Sequence, residues 1–183
     1  MKQSFTSART SVNSGKLPKV YGLLPPLPRH HILFDYGCGK YTDHIAAAVP
    51  CVYCPYDPFN KPEDVNARSV YYVRVAMRAH YPVTVVCSNV LNVIDSDDAM
   101  QDIANTIMQI VYHTGGTGYV TVYEGDRSGV GRQTGPDQYQ RNAPLRDYLR
   151  LFPVHAQPDG KGHTVRIRSV VERGMIVVRR EVV

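Results

Sequence analysis

The apolar run Ile32-Leu33-Phe34 passes directly into Asp35-Tyr36-Gly37-Cys38-Gly39, and this junction limits the fold more than any other stretch of the chain. A short apolar run closed by turn residues is a buried strand. Two glycines one residue apart, just past its end, form a turn whose backbone a ligand can approach closely. Tyr41 to Val49 follows as a short helix candidate with Ile45, Ala46 and Ala48 available for packing. Cys51 to Tyr56 is a second strand, and it stops at Asp57-Pro58. Strand, glycine turn, helix, strand and acid in this order start an α/β domain with a parallel sheet.

The rest of the chain continues the alternation. Residues 59–80 carry the weakest pattern and lean to helix, and Val83 to Ser88 is a buried strand. Asp95 to Tyr112 has helical spacing, with Ala99, Ile103, Ile107 and Ile110 on one face and Asp97 and Asp98 at the positive helix start. After His113-Thr114-Gly115-Gly116 comes the strand GYVTVYE, then a polar, glycine-rich loop over 125–142 and a short helix from Pro144 to Phe152. The end alternates and turns near Glu172-Arg173-Gly174, which is a hairpin pattern. The expected fold is therefore α/β: a Rossmann-like, mainly parallel sheet with helices on both faces, one antiparallel strand and a C-terminal antiparallel hairpin. The interval from Asp57 to Ser88 is short, so the third strand of such a sheet is expected to be reduced or missing.

A length of 183 residues suits one domain, divided here into an N-terminal arm over 1–28, rich in Pro18, Pro25, Pro26 and Pro28, and a single domain over 29–183. With 43% hydrophobic and 20% charged residues the composition is that of a globular protein. No apolar run reaches the ~20 residues of a membrane span, and the first residues lack the apolar core of a secretory signal. The expectation is a soluble, cytoplasmic protein with no membrane partner. Cys51 and Cys54 have C-x-x-C spacing, but no second pair completes a zinc site; with Cys38 and Cys87 they read as buried thiols, and no metal is expected. The net charge of +5 favours a polyanionic partner.

The chemistry concentrates at two points. Gly37-Cys38-Gly39 lies between a strand and a helix, where backbone N–H groups face a ligand, and Asp57 closes the next strand, where a carboxylate accepts the hydroxyls of a ribose. A dinucleotide site would require glycine at position 42, which is Thr42, so NAD is disfavoured. The form Asp35-x-Gly37-Cys38-Gly39 resembles motif I of class I S-adenosylmethionine-dependent methyltransferases. VTVVCSNVLNVIDSDD resembles their fourth-strand region, and HTGGTGYVTVYE their turn into the fifth strand. More specifically, ARTSVNSGKLPK, DYGCGKYTDH, NVLNVI and QTGPDQYQRNAPLRDYL resemble methyltransferases associated with DNA phosphorothioation, a likeness covering about 150 residues that is patchy outside motif I and the fourth strand.

That resemblance implies a methyltransferase with S-adenosyl-L-methionine as cofactor. It would be held by Asp35, Tyr36, Gly37, Cys38 and Gly39, by Asp57 and Pro58, and by Asn89 and Val90, while the Asn89–Asn92 segment faces the methyl group. Asn92 is the catalytic candidate through its amide, with support of the strand-to-helix turn as its alternative role. Arg127, Arg132 and Arg141, in the loop after the fifth strand, are the candidates for phosphate contacts. The expected substrate is nucleic acid, DNA before RNA; the alternatives are a protein or small-molecule substrate, or a binding module of the same fold. Tyr41 replaces the third motif-I glycine. Ser88-Asn89-Val90-Leu91 lacks the prolines of amino-methylating DNA enzymes, no Pro-Cys follows the fourth strand, and Asn89 and Tyr123 occupy positions where a ribose-methylating tetrad needs Asp and Lys.

Overall fold

The computed structural model describes residues 4–8, 16–158 and 162–183. Its strands are β1 (Ile32–Tyr36), β2 (Val52–Tyr56), β3 (Val83–Ser88), β4 (Thr117–Thr121), β5 (Arg132–Gly135), β6 (Gln138–Gln140), β7 (His155–Pro158), β8 (Thr164–Glu172) and β9 (Met175–Val182). The helices are α1 (Asp43–Ala48), α2 (Glu63–Arg78) and α3 (Asp97–Thr114). Seven strands form one sheet in the order β2-β1-β3-β4-β9-β8-β7, and β5 and β6 pair separately as an antiparallel hairpin. β2, β1, β3 and β4 are parallel neighbours, whereas β9, β8 and β7 pair antiparallel. The fold is α/β with a mostly parallel sheet, and two strands, β9 and β7, run against the rest where one was expected. β7 is the addition; its sequence, His-Ala-Gln-Pro, has no apolar alternation to announce it.

Alternate residues of the central strands feed two cores. Phe34, Val85, Cys87, Val120, Ile176 and Val178 point to one face, covered by α2 and α3. Leu33, Val86, Tyr119, Met175 and Val177 point to the other, where Ile45 of α1 meets Val20 and Tyr21 from a short 3-10 turn over Lys19–Gly22. α3 buries Ala99, Ile103, Ile107 and Ile110 as its spacing predicts; each large aliphatic side chain so buried contributes about 1.5–3 kcal/mol. Ser96 caps its first turn, accepting from Ala99 N, and Gly115 ends it in the left-handed conformation. α1 is only six residues long and buries Ile45 alone; Ala46 and Ala48 face solvent.

Among the described residues no strand lies between β2 and β3, and α2 makes that connection directly. β2 is consequently the sheet edge. Val52 N–H and the Tyr56 carbonyl face β1, so Pro55, one residue before Tyr56, has its missing N–H on the outer side, which discourages pairing with another strand. The arm's described parts pack on the domain: Tyr21 is buried on the sheet, and His44 bonds the Lys16 carbonyl. The Arg9-Thr10 portion of the motif resemblance falls outside the described residues. Among the described residues no helix is long and apolar enough to cross a membrane.

Candidate functional site

From β1 the chain steps outward to β2, then returns across β1 to β3. The crevice between the carboxyl ends of β1 and β3 is the switch point at which open parallel sheets take ligands. The glycine turn enters it from β1. Gly37 N and Cys38 N both donate to the Tyr56 carbonyl, at 2.7 and 3.1 Å, hooking the turn over the end of β2. Gly37 and Gly39 have φ of +75° and +72°. A Cβ on Gly37 would lie 2.3 Å from Val90 Cγ2, so only glycine lets the segment after β3 close against the turn. That segment starts with exposed Asn89, φ +57°, whose N–H bonds the Thr121 carbonyl at 2.9 Å.

Asp57, 6% exposed, binds the glycine turn to its own loop. Its Oδ1 accepts from Phe59 N and Asn60 N, both at 2.9 Å, and its Oδ2 from Gly39 N at 3.0 Å. Asn60 Nδ2 reaches both oxygens at 3.2 and 3.3 Å, while Asn60 Oδ1 is buried without a partner. Pro58 and Phe59 are exposed beside it. Asp35 lies beneath the turn and accepts two 2.6 Å bonds at Oδ2, from the hydroxyls of Tyr21 and Tyr53. Burial raises its pKa to about 6 despite these bonds, and burial also pushes the Cys38 thiol up, keeping it a neutral packing group. The rings of Tyr36 and Tyr56 meet 5.0 Å apart at the strand ends. Tyr41 is half exposed, and Lys61 Nζ ties the turn by bonding Lys40 O and Thr42 Oγ1 at 2.8 Å each.

Asn89 also lines a cleft of about 740 Å³. Asn89, Asn92 and Tyr123 line it from the sheet side, and Arg132, Tyr139 and Gln140 from the β5–β6 hairpin. This hairpin occupies the segment expected to be loop, 125–142, and Tyr139 and Gln140 were not among the expected site residues. The signal for them is the Gly135-Pro136-Asp137 turn set between short polar runs. Asn92 is buried: its Oδ1 accepts from Tyr123 N at 3.3 Å and its Nδ2 donates to Gln140 Oε1 at 3.2 Å. It thus joins the end of β4 to β6, while Ser96 holds the helix cap.

The three loop arginines are placed differently. Arg132 is exposed on the cleft wall. Arg127 pairs with Glu124, whose other oxygen accepts from Leu145 N at 2.6 Å; that backbone bond is the main cause holding the Glu124 carboxyl below its ordinary pKa. Arg141 turns inward, donating to the Ile94 and Asp95 carbonyls at 3.1 Å and pairing with Asp97 at 2.8 Å. Cys38, Cys54 and Cys87 are buried, Cys51 is half-buried, and among the described residues no cluster of His, Cys, Asp or Glu is suited to hold a metal. No model of a known protein family matches the chain, and no protein of curated function matches it.

Proposed function

We propose that the chain is an S-adenosylmethionine-dependent methyltransferase acting on nucleic acid, DNA before RNA, on a Rossmann-like sheet that dispenses with its third strand. One observation carries the reading. Three adjacent parallel strands bring a positive-φ glycine turn, a buried carboxylate and the Asn89–Val93 segment to one sheet edge, and that segment also lines a large cleft.

The residues fit the cofactor. Gly37, half-buried, and Gly39, buried, carry no Cβ that would keep the methionine portion off the turn. Asp57 Oδ2 carries one good bond and one long, shared bond, so it has acceptor capacity for a ribose hydroxyl, and the orphaned Asn60 Oδ1 is a second acceptor beside it. Phe59 offers an apolar surface for the adenine. S-adenosylmethionine, when bound, supplies a methyl group already activated by its sulfonium. The chain's task is then to position the acceptor atom and exclude water. Asn89 and the Asn92–Gln140 pair offer amides that orient a base edge, and Arg132 offers a phosphate contact at the cleft wall.

A second reading is favoured by the pairing of the buried Asn92 amide with Tyr123 and Gln140 within the chain itself: a binding module of the same fold with weak or no catalysis. Calorimetry with S-adenosylmethionine, S-adenosylhomocysteine and NAD, paired with methyl transfer to duplex DNA, single-stranded DNA and RNA, separates the readings. Micromolar binding of the first two with transfer to DNA is expected. Binding without transfer leaves the module, and binding of NAD alone rejects both.

A further inference from the structure

The cleft wall made by β5 and β6 is a two-stranded hairpin of four and three residues, too small to hold its shape unaided. Residues 4–8 of the arm supply part of what holds it. Ser7 is 5% exposed and kept at φ +52°, a conformation that a non-glycine residue maintains only when its surroundings enforce it. Its Oγ donates to the Val93 carbonyl at 3.0 Å and accepts from Tyr139 N at 3.3 Å, and its N–H donates to the Asp137 carbonyl at 3.0 Å. Val93 and Tyr139 both line the cleft, so one buried hydroxyl ties the segment after β3 to the hairpin. Around it, Phe5 stacks on Tyr139 with centroids 6.0 Å apart and planes 9° from parallel. Thr6 bonds Asp137 through both N–H and hydroxyl, and Ser4 N donates to the Asp95 carboxylate at 2.9 Å.

We propose that residues 4–8 are a clasp that sets the width of the cleft, with Ser7 as a positioning residue for the substrate wall. The glycine turn lies outside the clasp, so cofactor affinity is independent of it. The substrate part of this inference rests on the cleft being the nucleic-acid site.

Amide hydrogen exchange of residues 132–140 tests the clasp itself, in the wild type and in Ser7→Ala, Phe5→Ala and Phe5→Trp. Loss of the Ser7 hydroxyl, or of the ring, is expected to speed exchange about tenfold, the scale of one or two net hydrogen bonds, and Phe5→Trp is expected to restore it by keeping the stack. With a DNA oligonucleotide, Ser7→Ala should raise KM about tenfold while kcat and S-adenosylhomocysteine affinity stay within about twofold. Unchanged exchange in both Ser7→Ala and Phe5→Ala overturns the clasp. Faster exchange with KM unchanged overturns the positioning role. If the wild type binds no nucleic acid, the substrate reading falls and with it the positioning role; the exchange data then still decide the clasp.

Discussion

Around the glycine turn the polar groups are held from the same loop or the adjacent strand, Asp57 by Phe59 and Asn60 and Gly37 by Tyr56. Around the cleft the partners are distant: Asn92 with Gln140, Arg141 with Ile94, Ser7 with Val93. The first region is shaped by short loops on adjacent parallel strands, where few conformations satisfy the backbone. The second is assembled from an arm, a strand-to-helix turn and a hairpin that meet from distant parts of the chain. Under the proposed function, the first region would take the invariant cofactor and the second the variable substrate.

Substitutions can break that contrast. Gly37→Val is expected to cost the most, about 3–5 kcal/mol of stability, because it adds a left-handed β-branched residue to a clash with Val90. Gly129→Val on the cleft side has φ +73° but open space around its Cβ, so it should cost only about 1–2 kcal/mol. Urea unfolding of both variants measures the difference, and equal losses would mean the turn is as yielding as the hairpin approach.

The pH dependence is next in size. Asp35 titrates near 6 in the folded chain, above the ordinary 3.8, so the folded state holds its proton more tightly than the unfolded state does. Its contribution is fully present below about pH 4 and is lost as pH rises through about 6, with a magnitude on the order of 2–3 kcal/mol. Asp35→Asn, which can still accept from Tyr21 and Tyr53, should flatten the melting-temperature profile between pH 4 and 7. A profile of unaltered shape in the variant would assign the titration elsewhere.

Asp57→Ala should weaken S-adenosylmethionine binding by about 1.5–3 kcal/mol. It should also lower stability, since Gly39, Phe59 and Asn60 lose the acceptor of their N–H groups. Calorimetry on the folded fraction reads the first effect and thermal unfolding the second; affinity equal to wild type removes Asp57 from the site. The smallest effect sharpens the cleft side. Arg132→Gln should flatten the salt dependence of duplex DNA binding by about 0.9 in log–log slope, one phosphate's worth. Arg141→Gln should instead lower stability, because its guanidinium is bound to Ile94, Asp95 and Asp97. A slope change in Arg141→Gln with stability intact would reverse the two roles.

Local pattern determined much of this protein. The apolar runs that became β1, β2, β3 and β4, the helical spacing of α3, the glycine turn and the Arg173-Gly174 hairpin are all legible, because each depends on residues within one turn or one strand of each other. The short interval from Asp57 to β3 likewise points to a third strand reduced or missing, and among the described residues α2 is the element that fills it. Tertiary structure alone decided the rest. β7 exists because β8 offers it an edge, and the 125–142 segment becomes a wall because Asn92, Ser7 and Phe5 hold it. Arg127, Arg132 and Arg141 look alike in sequence, yet a carboxylate, open solvent and two carbonyls beside Asp97 give them different tasks. A charge takes its meaning from partners far along the chain, and only the folded chain brings those partners within reach.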